Sequence, residues 1–100
     1  MARPREVKLR YTRTSLAQLD TILTYIGTHN PAAARRVLAR IHRAIHRLAR
    51  FPYSAPATTQ LRVRALTVPG FPYVVYYAVH ATSREVHILR VLHARQARDD

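Results

Sequence analysis

The spacing of apolar residues changes twice along this chain of 100 residues. Over residues 6–12 apolar and polar side chains alternate, and this period of two predicts a short, half-buried strand. In residues 16–26 and 34–48 apolar side chains recur every three or four positions, which predicts two amphipathic helices. Later runs rich in Val, Ile and Tyr predict three strands, at residues 61–68, 73–80 and 85–93.

Residues at the ends of the helical segments predict where each helix starts and stops. Thr14 or Ser15 is expected to cap the first helix, and Gly27 to end it. Asn30 followed by Pro31 predicts the start of the second helix, because Asn caps well and Pro loses no hydrogen bond in the first turn. The second helix is expected to run to about residue 50. A connection of about four residues predicts that the two helices form an antiparallel hairpin.

The order of these elements predicts an α+β fold of two layers: strand, helix, helix and then a three-stranded antiparallel meander. The helical hairpin is expected to pack on one face of an antiparallel sheet, because the sheet offers the apolar surface that both helices need. The other face would be open to solvent or to a partner. We expect a single domain over residues 1–100, a loop at residues 52–60 and a frayed tail at residues 94–100.

Composition excludes several classes of protein. Apolar residues make up 48% of the chain, which argues against intrinsic disorder, and the absence of cysteine excludes a disulfide scaffold and a thiolate zinc site. No apolar run is long enough to span a membrane, and the first residues lead into no secretory signal. We therefore expect a cytoplasmic protein.

The charge of the chain points to a polyanionic partner. Seventeen Lys and Arg residues face five Asp and Glu residues, which gives a net charge of +12. All the basic residues except Lys8 are Arg, and no acid occurs between Asp20 and Glu85. A GC-rich genome would favour Arg over Lys but would not remove the acids. Because the planar guanidinium binds carboxylates and phosphates in pairs, we expect a nucleic acid or an acidic protein segment as partner.

One face of the second predicted helix carries a continuous row of arginines. Their spacing of four, three, four and three places five of them together: Arg36, Arg40, Arg43, Arg47 and Arg50. Like charges at these spacings repel, and no acid in the helix offsets them. This α2 arginine stripe is either a solvated face or a binding face for an acidic partner.

Two further arginines lie within the predicted strands. Arg90 has apolar neighbours on both sides, and alternation places it on the same sheet face as Val86 and Ile88. Such a charge must reach water, an acid or an anion. Arg64 lies in the first strand of the meander, and we expect it to share a groove with Arg90. The strand between them carries three tyrosines, which are either core or a stacking surface: Tyr73, Tyr76 and Tyr77.

His93 is the one candidate for proton transfer on the predicted sheet. It ends the last strand, and Arg95 follows it. A His moves protons and a neighbouring Arg stabilises negative charge, so such a pair can serve RNA cleavage, although one His near one Arg also occurs by chance. His42 and His46 have the spacing of metal ligands, but a third ligand is missing. We therefore expect no metal and no cofactor.

Taken in order, these segments resemble the ParE/RelE superfamily of small toxins from bacterial toxin–antitoxin modules. The resemblance covers about residues 6–95, and its ParE branch is the most similar. The matching pieces include Leu19-x-x-Ile22-x-x-Tyr25-Ile26, Asn30-Pro31-Ala32-Ala33-Ala34, Val63-Arg64-x-Leu66, Phe71-Pro72-Tyr73-Val74-Val75-Tyr76-Tyr77 and Ile88-Leu89-Arg90-Val91-Leu92-His93-x-Arg95.

The resemblance implies an antitoxin whose acidic, poorly ordered tail wraps the toxin. It also implies the ParE activity, which is inhibition of DNA gyrase without known catalysis. The residues expected to bind antitoxin or target are Arg36, Arg40, Arg43, Arg47, Arg50, Arg62 and Arg95.

Two other functions stay open at this point. A RelE-like, ribosome-dependent endoribonuclease would use His93 as general acid/base, with Arg64 and Arg90 binding phosphate. The chain has no aromatic residue after His93 and only one Lys, unlike the RelE pattern. A basic nucleic-acid-binding module without toxicity is the third possibility, although no recognised DNA-reading motif occurs in the chain.

Overall fold

The computed structural model describes residues 6–97, which fold into four strands and three helices. Their order confirms the prediction of a strand, two helices and three further strands. The elements are β1 (Lys8–Tyr11), α1 (Arg13–His29), α2 (Pro31–Arg47), β2 (Arg64–Thr67), β3 (Tyr73–His80), β4 (Glu85–His93) and α3 (Ala94–Ala97). No helix in this part of the chain is long and apolar enough to cross a lipid bilayer.

The four strands form one mixed sheet in the order β1-β4-β3-β2. As predicted, β2, β3 and β4 are an antiparallel meander. β1 pairs in parallel with β4, so the complete sheet is not purely antiparallel as we expected. The helical hairpin carries the chain from β1 back across the sheet, which is the long crossover that a parallel pair requires. As a result β4 is a central strand with neighbours on both sides.

The core lies between the helices and one face of this sheet. The apolar side of α2 supplies Val37, Ile41 and Ile45, and the C-cap residue of the helix, Leu48, is buried as well. The buried residues of the sheet include Val75, Tyr77, Val86, Ile88 and Val91. Each fully buried aliphatic side chain contributes about 1.5–3 kcal/mol to stability. The apolar spacing therefore identified the buried side of α2, although Leu38, which has the same spacing, is exposed.

The first helix starts earlier than the sequence indicated. Its N-cap is Thr12, whose hydroxyl accepts a hydrogen bond from the Ser15 N–H at 3.0 Å, and neither Thr14 nor Ser15 is the cap. Thr12 is held in place because its own N–H donates to the Ile88 carbonyl of β4 at 3.0 Å. The sheet therefore determines where α1 begins.

The connection between the two helices is a single residue. α1 continues through Gly27 to His29, and Asn30 both ends α1 and caps α2 by accepting a hydrogen bond from the Ala33 N–H at 3.0 Å. A Cβ at Gly27 would lie 3.6 Å from the Cβ of Ala34, so this glycine lies at the contact between the helices and is not a helix end. The predicted cap at Asn30 is confirmed, and the predicted four-residue connection is wrong.

The segment after β4 is ordered as far as the structure describes it. We expected residues 94–100 to fray, but Ala94–Ala97 form the short helix α3. The Tyr76 hydroxyl donates to the Ala97 carbonyl at 3.4 Å, and the Ala94 N–H donates to the Pro72 carbonyl at 2.8 Å. Residues 98–100 lie outside the described part of the chain.

Candidate interaction surfaces

A β-bulge in β4 decides where Arg90 lies. Tyr76 of β3 is opposite Arg90, but the next residue, Tyr77, is opposite Ile88, so Leu89 is an extra residue in β4. One inserted residue reverses the alternation of faces along a strand. Arg90 therefore lies on the face opposite to Val86 and Ile88, and the face predicted by simple alternation is wrong.

Side chains of the first helix and its cap stabilise this bulge. The carbonyl of Leu89 accepts a hydrogen bond from the Thr12 hydroxyl at 2.9 Å. The N–H of Val91 donates to the Gln18 Oε1 at 2.8 Å. At the bulge, the Leu89 carbonyl and the Val91 N–H thus find hydrogen-bond partners in α1 and its N-cap, as buried backbone groups require. The bulge is therefore stabilised by specific hydrogen bonds, and it directs Arg90 away from the core.

On the outer face of the sheet, Arg90 covers the ring of Tyr76. The guanidinium carbon is 4.5 Å from the ring centroid, which is a cation–π contact. Arg90 also donates to the Gln60 Oε1 at 3.4 Å. Its stem shields Tyr76, which is 7% exposed although it is not part of the core cluster.

Arg64 lies on the other face, towards the helices. It pairs with Tyr77, the core-facing tyrosine of β3, whereas Arg90 pairs with Tyr76. Its Nη1 donates to the Ala55 carbonyl at 2.6 Å, and its guanidinium carbon is 5.1 Å from the Tyr53 ring centroid. The groove that Arg64 and Arg90 were expected to share does not exist, because consecutive residues of β3 face opposite sides.

Tyr77 anchors the loop that follows α2. It is fully buried, and its hydroxyl donates to the Pro52 carbonyl at 2.8 Å and accepts from the Ala55 N–H at 3.3 Å. Burial raises the pKa of Tyr77, and the hydrogen bond from Ala55 and the nearby Arg64 partly oppose this rise. Tyr73 is also in the core cluster, so two of the three strand tyrosines are core residues.

His93 lies at a cavity between α1 and the end of the sheet. Its ring contacts Tyr73 edge-on at 5.7 Å between centroids, and its Nδ1 accepts a hydrogen bond from the Arg95 N–H at 3.1 Å. The cavity has a volume of about 560 Å³, and its walls include Ile22, Tyr25 and Arg95. His93 and Arg95 are therefore neighbours, as their spacing suggested.

The three residues proposed for RNA cleavage do not meet. His93 contacts Tyr73, whereas Arg64 pairs with Tyr77. These two tyrosines are four residues apart in β3, which is about 13 Å at the usual rise per residue. Arg90 is on the outer face, away from both.

The α2 arginine stripe is solvent-accessible. Arg40 is half-buried and the other four arginines are exposed. Within residues 6–97 no carboxylate pairs with any of the five, since the ion pairs found there both involve Glu85. Arg62 and Arg95 are exposed as well. The stripe is thus a cationic surface without a negative partner in the described chain.

The outer face of the sheet, on which Arg90 lies, also holds an ion cluster that the sequence did not indicate. Glu85 accepts hydrogen bonds from His87 at 2.9 Å and from Arg10 at 3.1 Å, and the His80 ring stacks on His87 at 3.9 Å. The hydrogen bond from His87, and then that from Arg10, lower the pKa of Glu85. Only the parallel pairing of β1 with β4 brings Arg10 to this position, so no local signal could have predicted it.

Two exposed aromatic residues in the loop after α2 were also missed. Phe51 is 52% exposed and Tyr53 is 58% exposed. Because both flank Pro52, the sequence suggested only the end of a helix and a loop. The signal in the sequence was the presence of two aromatic residues next to Arg47 and Arg50, which is typical of an exposed binding surface.

Comparison with known proteins identifies the family. A family model described as the ParE toxin of the type II toxin–antitoxin system parDE matches residues 9–98. The Sinorhizobium fredii protein Y4kP is 39% identical over 89 residues, which are 89% of this chain and 90% of that protein. Toxin RelE2 of Caulobacter vibrioides is 37% identical, with coverage of 84% of this chain and 91% of its own length.

Solved structures share the fold. The chromosomal ParDE toxin–antitoxin system from P. aeruginosa contains a chain that superposes with a TM-score of 0.78 at 23% identity, over 89% of this chain and 97% of that one. A chain of the toxin–antitoxin complex RelBE2 from Mycobacterium tuberculosis gives a TM-score of 0.64 at 23% identity, over 88% and 98%. The matching sequence family and the shared fold together show that this chain belongs to the ParE toxin family of type II toxin–antitoxin systems.

Proposed function

We propose that this toxin acts by binding and inhibiting DNA gyrase, without catalysis of its own, and that an acidic antitoxin neutralises it. Toxin membership follows from the family, while the target and the mode of action are the proposed part. The toxin would act in the cytoplasm, where gyrase works.

The dispersal of the candidate nuclease residues carries this proposal. General acid–base cleavage of RNA requires the proton-transfer group and the phosphate-binding cations around one reacting phosphate. Here Arg64 is held by loop carbonyls on the helix side, Arg90 covers Tyr76 on the outer face, and His93 lies beside α1. A toxin that acts by occupying a protein target does not need these three groups to converge.

The charge distribution supports the acidic partner. The α2 arginine stripe leaves repulsion between neighbouring guanidinium groups uncompensated within the described chain, at a few tenths of a kcal/mol for each pair. An acidic segment that covers the stripe would relieve this repulsion and replace it with charge-assisted hydrogen bonds. The long-range field of a +12 protein would also speed the encounter.

Two assays with one purified protein test the target. We expect the toxin to block supercoiling by gyrase in a dose-dependent manner and to leave mRNA intact in a translating extract. His93→Ala should not change the inhibitory concentration in the supercoiling assay, and His29→Ala, an exposed histidine on α1, is the matched control. Ribosome-dependent mRNA cuts that disappear in His93→Ala, together with unimpaired gyrase, would select the nuclease function.

A further inference from the structure

Two exposed aromatic rings in the loop after α2 are each covered by arginine. The guanidinium carbons of Arg47 and Arg50 are 5.7 Å and 6.0 Å from the centroid of the Phe51 ring. That of Arg64 is 5.1 Å from the Tyr53 ring. These five residues, Arg47, Arg50, Phe51, Tyr53 and Arg64, form what we call the aromatic–arginine patch. An aromatic side chain that is half exposed contributes less to folding than a buried one, and a polar residue would serve equally well at an exposed position.

Hydrogen bonds join the loop of the patch to the core below it. The buried Tyr77 hydroxyl fixes the loop at Pro52 and Ala55, on both sides of Tyr53. Arg64 is tied to the same loop by hydrogen bonds from its Nη1 to the Ala55 carbonyl at 2.6 Å and to the Tyr53 carbonyl at 3.4 Å. A ligand that binds here would find the rings already ordered, which lowers the entropy cost of binding.

A cavity and a local excess of positive charge adjoin the patch. The cavity has a volume of about 430 Å³, within the usual range of ligand pockets, and its lining includes Tyr53, Thr58, Gln60, Arg62 and Arg64. Arg62 adopts a left-handed backbone conformation with φ of 65° at its rim. No Asp or Glu occurs between Asp20 and Glu85, so no acid of the loop or of α2 competes for these arginines.

We propose that the aromatic–arginine patch binds single-stranded nucleic acid, with bases stacked on Phe51 and Tyr53 and phosphates held by the arginines. Aromatic rings beside cations are the means by which proteins hold single strands without reading their sequence. An acidic peptide would use the arginines but would gain little from the exposed parts of the two rings. Duplex DNA would offer its phosphates but not its stacked bases. The proposal rests on this local geometry and does not depend on gyrase being the target.

Tryptophan fluorescence tests the stacking directly, since the chain has no Trp of its own. Phe51→Trp places a single reporter in the patch, and Tyr25→Trp places one on α1, where Tyr25 is 72% exposed. We expect oligothymidylate or oligouridylate of about 12 nucleotides to quench the reporter at position 51 and not the one at position 25. Comparing the two oligonucleotides shows whether DNA or RNA is preferred. Equal quenching of both reporters, or equally tight binding of duplex DNA or polyglutamate, would overturn the proposal.

Alanine variants separate stacking from charge. Phe51→Ala should weaken binding of the oligonucleotide about tenfold, whereas Tyr25→Ala, an equally exposed aromatic residue, should leave affinity unchanged. Arg47→Ala should reduce the slope of log affinity against log salt by about one, and Arg36→Ala at the other end of the stripe should not. Thermal melts of all four variants exclude unfolding as the cause. Equal losses of affinity in Phe51→Ala and Tyr25→Ala would refute a stacking site, and equal salt slopes in Arg47→Ala and Arg36→Ala would show that only net charge matters.

Discussion

Removal of the side-chain hydroxyl should destabilise this protein at one buried tyrosine and not at another. The Tyr77 hydroxyl makes two hydrogen bonds to the loop after α2, one of them with the N–H of Ala55, a residue that is only 4% exposed. The hydroxyl of Tyr11 is buried as well, but it has no hydrogen-bond partner among the described residues. Replacement by Phe keeps the ring and its packing in both cases, so the two variants differ only in the hydrogen bonds removed.

The expected magnitudes follow from these contacts. Tyr77→Phe leaves the Ala55 N–H buried without a partner, which costs about 1–3 kcal/mol, while the half-buried Pro52 carbonyl can turn to water. We therefore expect the free energy of unfolding to fall by about 2 kcal/mol and the Tm by about 8–16 °C. Tyr11→Phe removes a hydroxyl that is desolvated without compensation, and the free energy of unfolding should stay unchanged or rise by up to about 1 kcal/mol.

Urea titrations followed by far-UV circular dichroism measure both effects. The slope of free energy against urea should be the same for the two variants and the parent protein, so that midpoints report stability alone. Equal destabilisation by Tyr77→Phe and Tyr11→Phe would show that the two hydroxyls are equivalent. The assignment of Tyr77 as the anchor of the loop would then be wrong.

Two further outcomes are expected. The hydrogen bond from His87, aided by an arginine of β1, holds the pKa of Glu85 below its ordinary value of 4.5. The parent protein should therefore be more stable than Glu85→Gln above about pH 4.5, and this difference in the free energy of unfolding should disappear as the pH falls through the lowered pKa. Urea titrations of both proteins from neutral pH to about pH 3 measure it. Reversal of Arg40 and Arg43 to Glu should slow association with a purified antitoxin about tenfold at low salt and flatten its salt dependence. The double reversal of Arg13 and Arg84, two exposed arginines outside the stripe, changes the net charge equally and should have little effect. Equal slowing by both double reversals would remove the stripe from the interface.

The helices and their order could be read from short stretches of sequence. The apolar spacing identifies Val37, Ile41 and Ile45 as the buried side of α2, because a helix repeats every 3.6 residues wherever it lies. The cap at Asn30 is equally local, since its side chain needs only the N–H of a residue three positions ahead. Strands joined by short turns lie next to each other in a sheet, so the meander of β2, β3 and β4 could be predicted from the turns between them.

The placement of the candidate site residues could not be read in this way. A single extra residue in β4 reverses every face that alternation assigns after it. Hydrogen bonds join that bulge to Thr12, which donates to the Leu89 carbonyl, and to Gln18, which accepts from the Val91 N–H, and both partners are more than 70 positions away in the sequence. The expectation that Arg64 and Arg90 would meet failed for this reason.

The sequence alone thus determined the fold class, the excess of positive charge and the family of this protein, since each depends on composition or on regular local spacing. Only the tertiary structure decided the parallel pairing of β1, the face on which each strand arginine lies, and the exposure of Phe51 and Tyr53 beside their arginines. These properties depend on strand register and on contacts between distant segments, and a pattern within one segment carries no information about either.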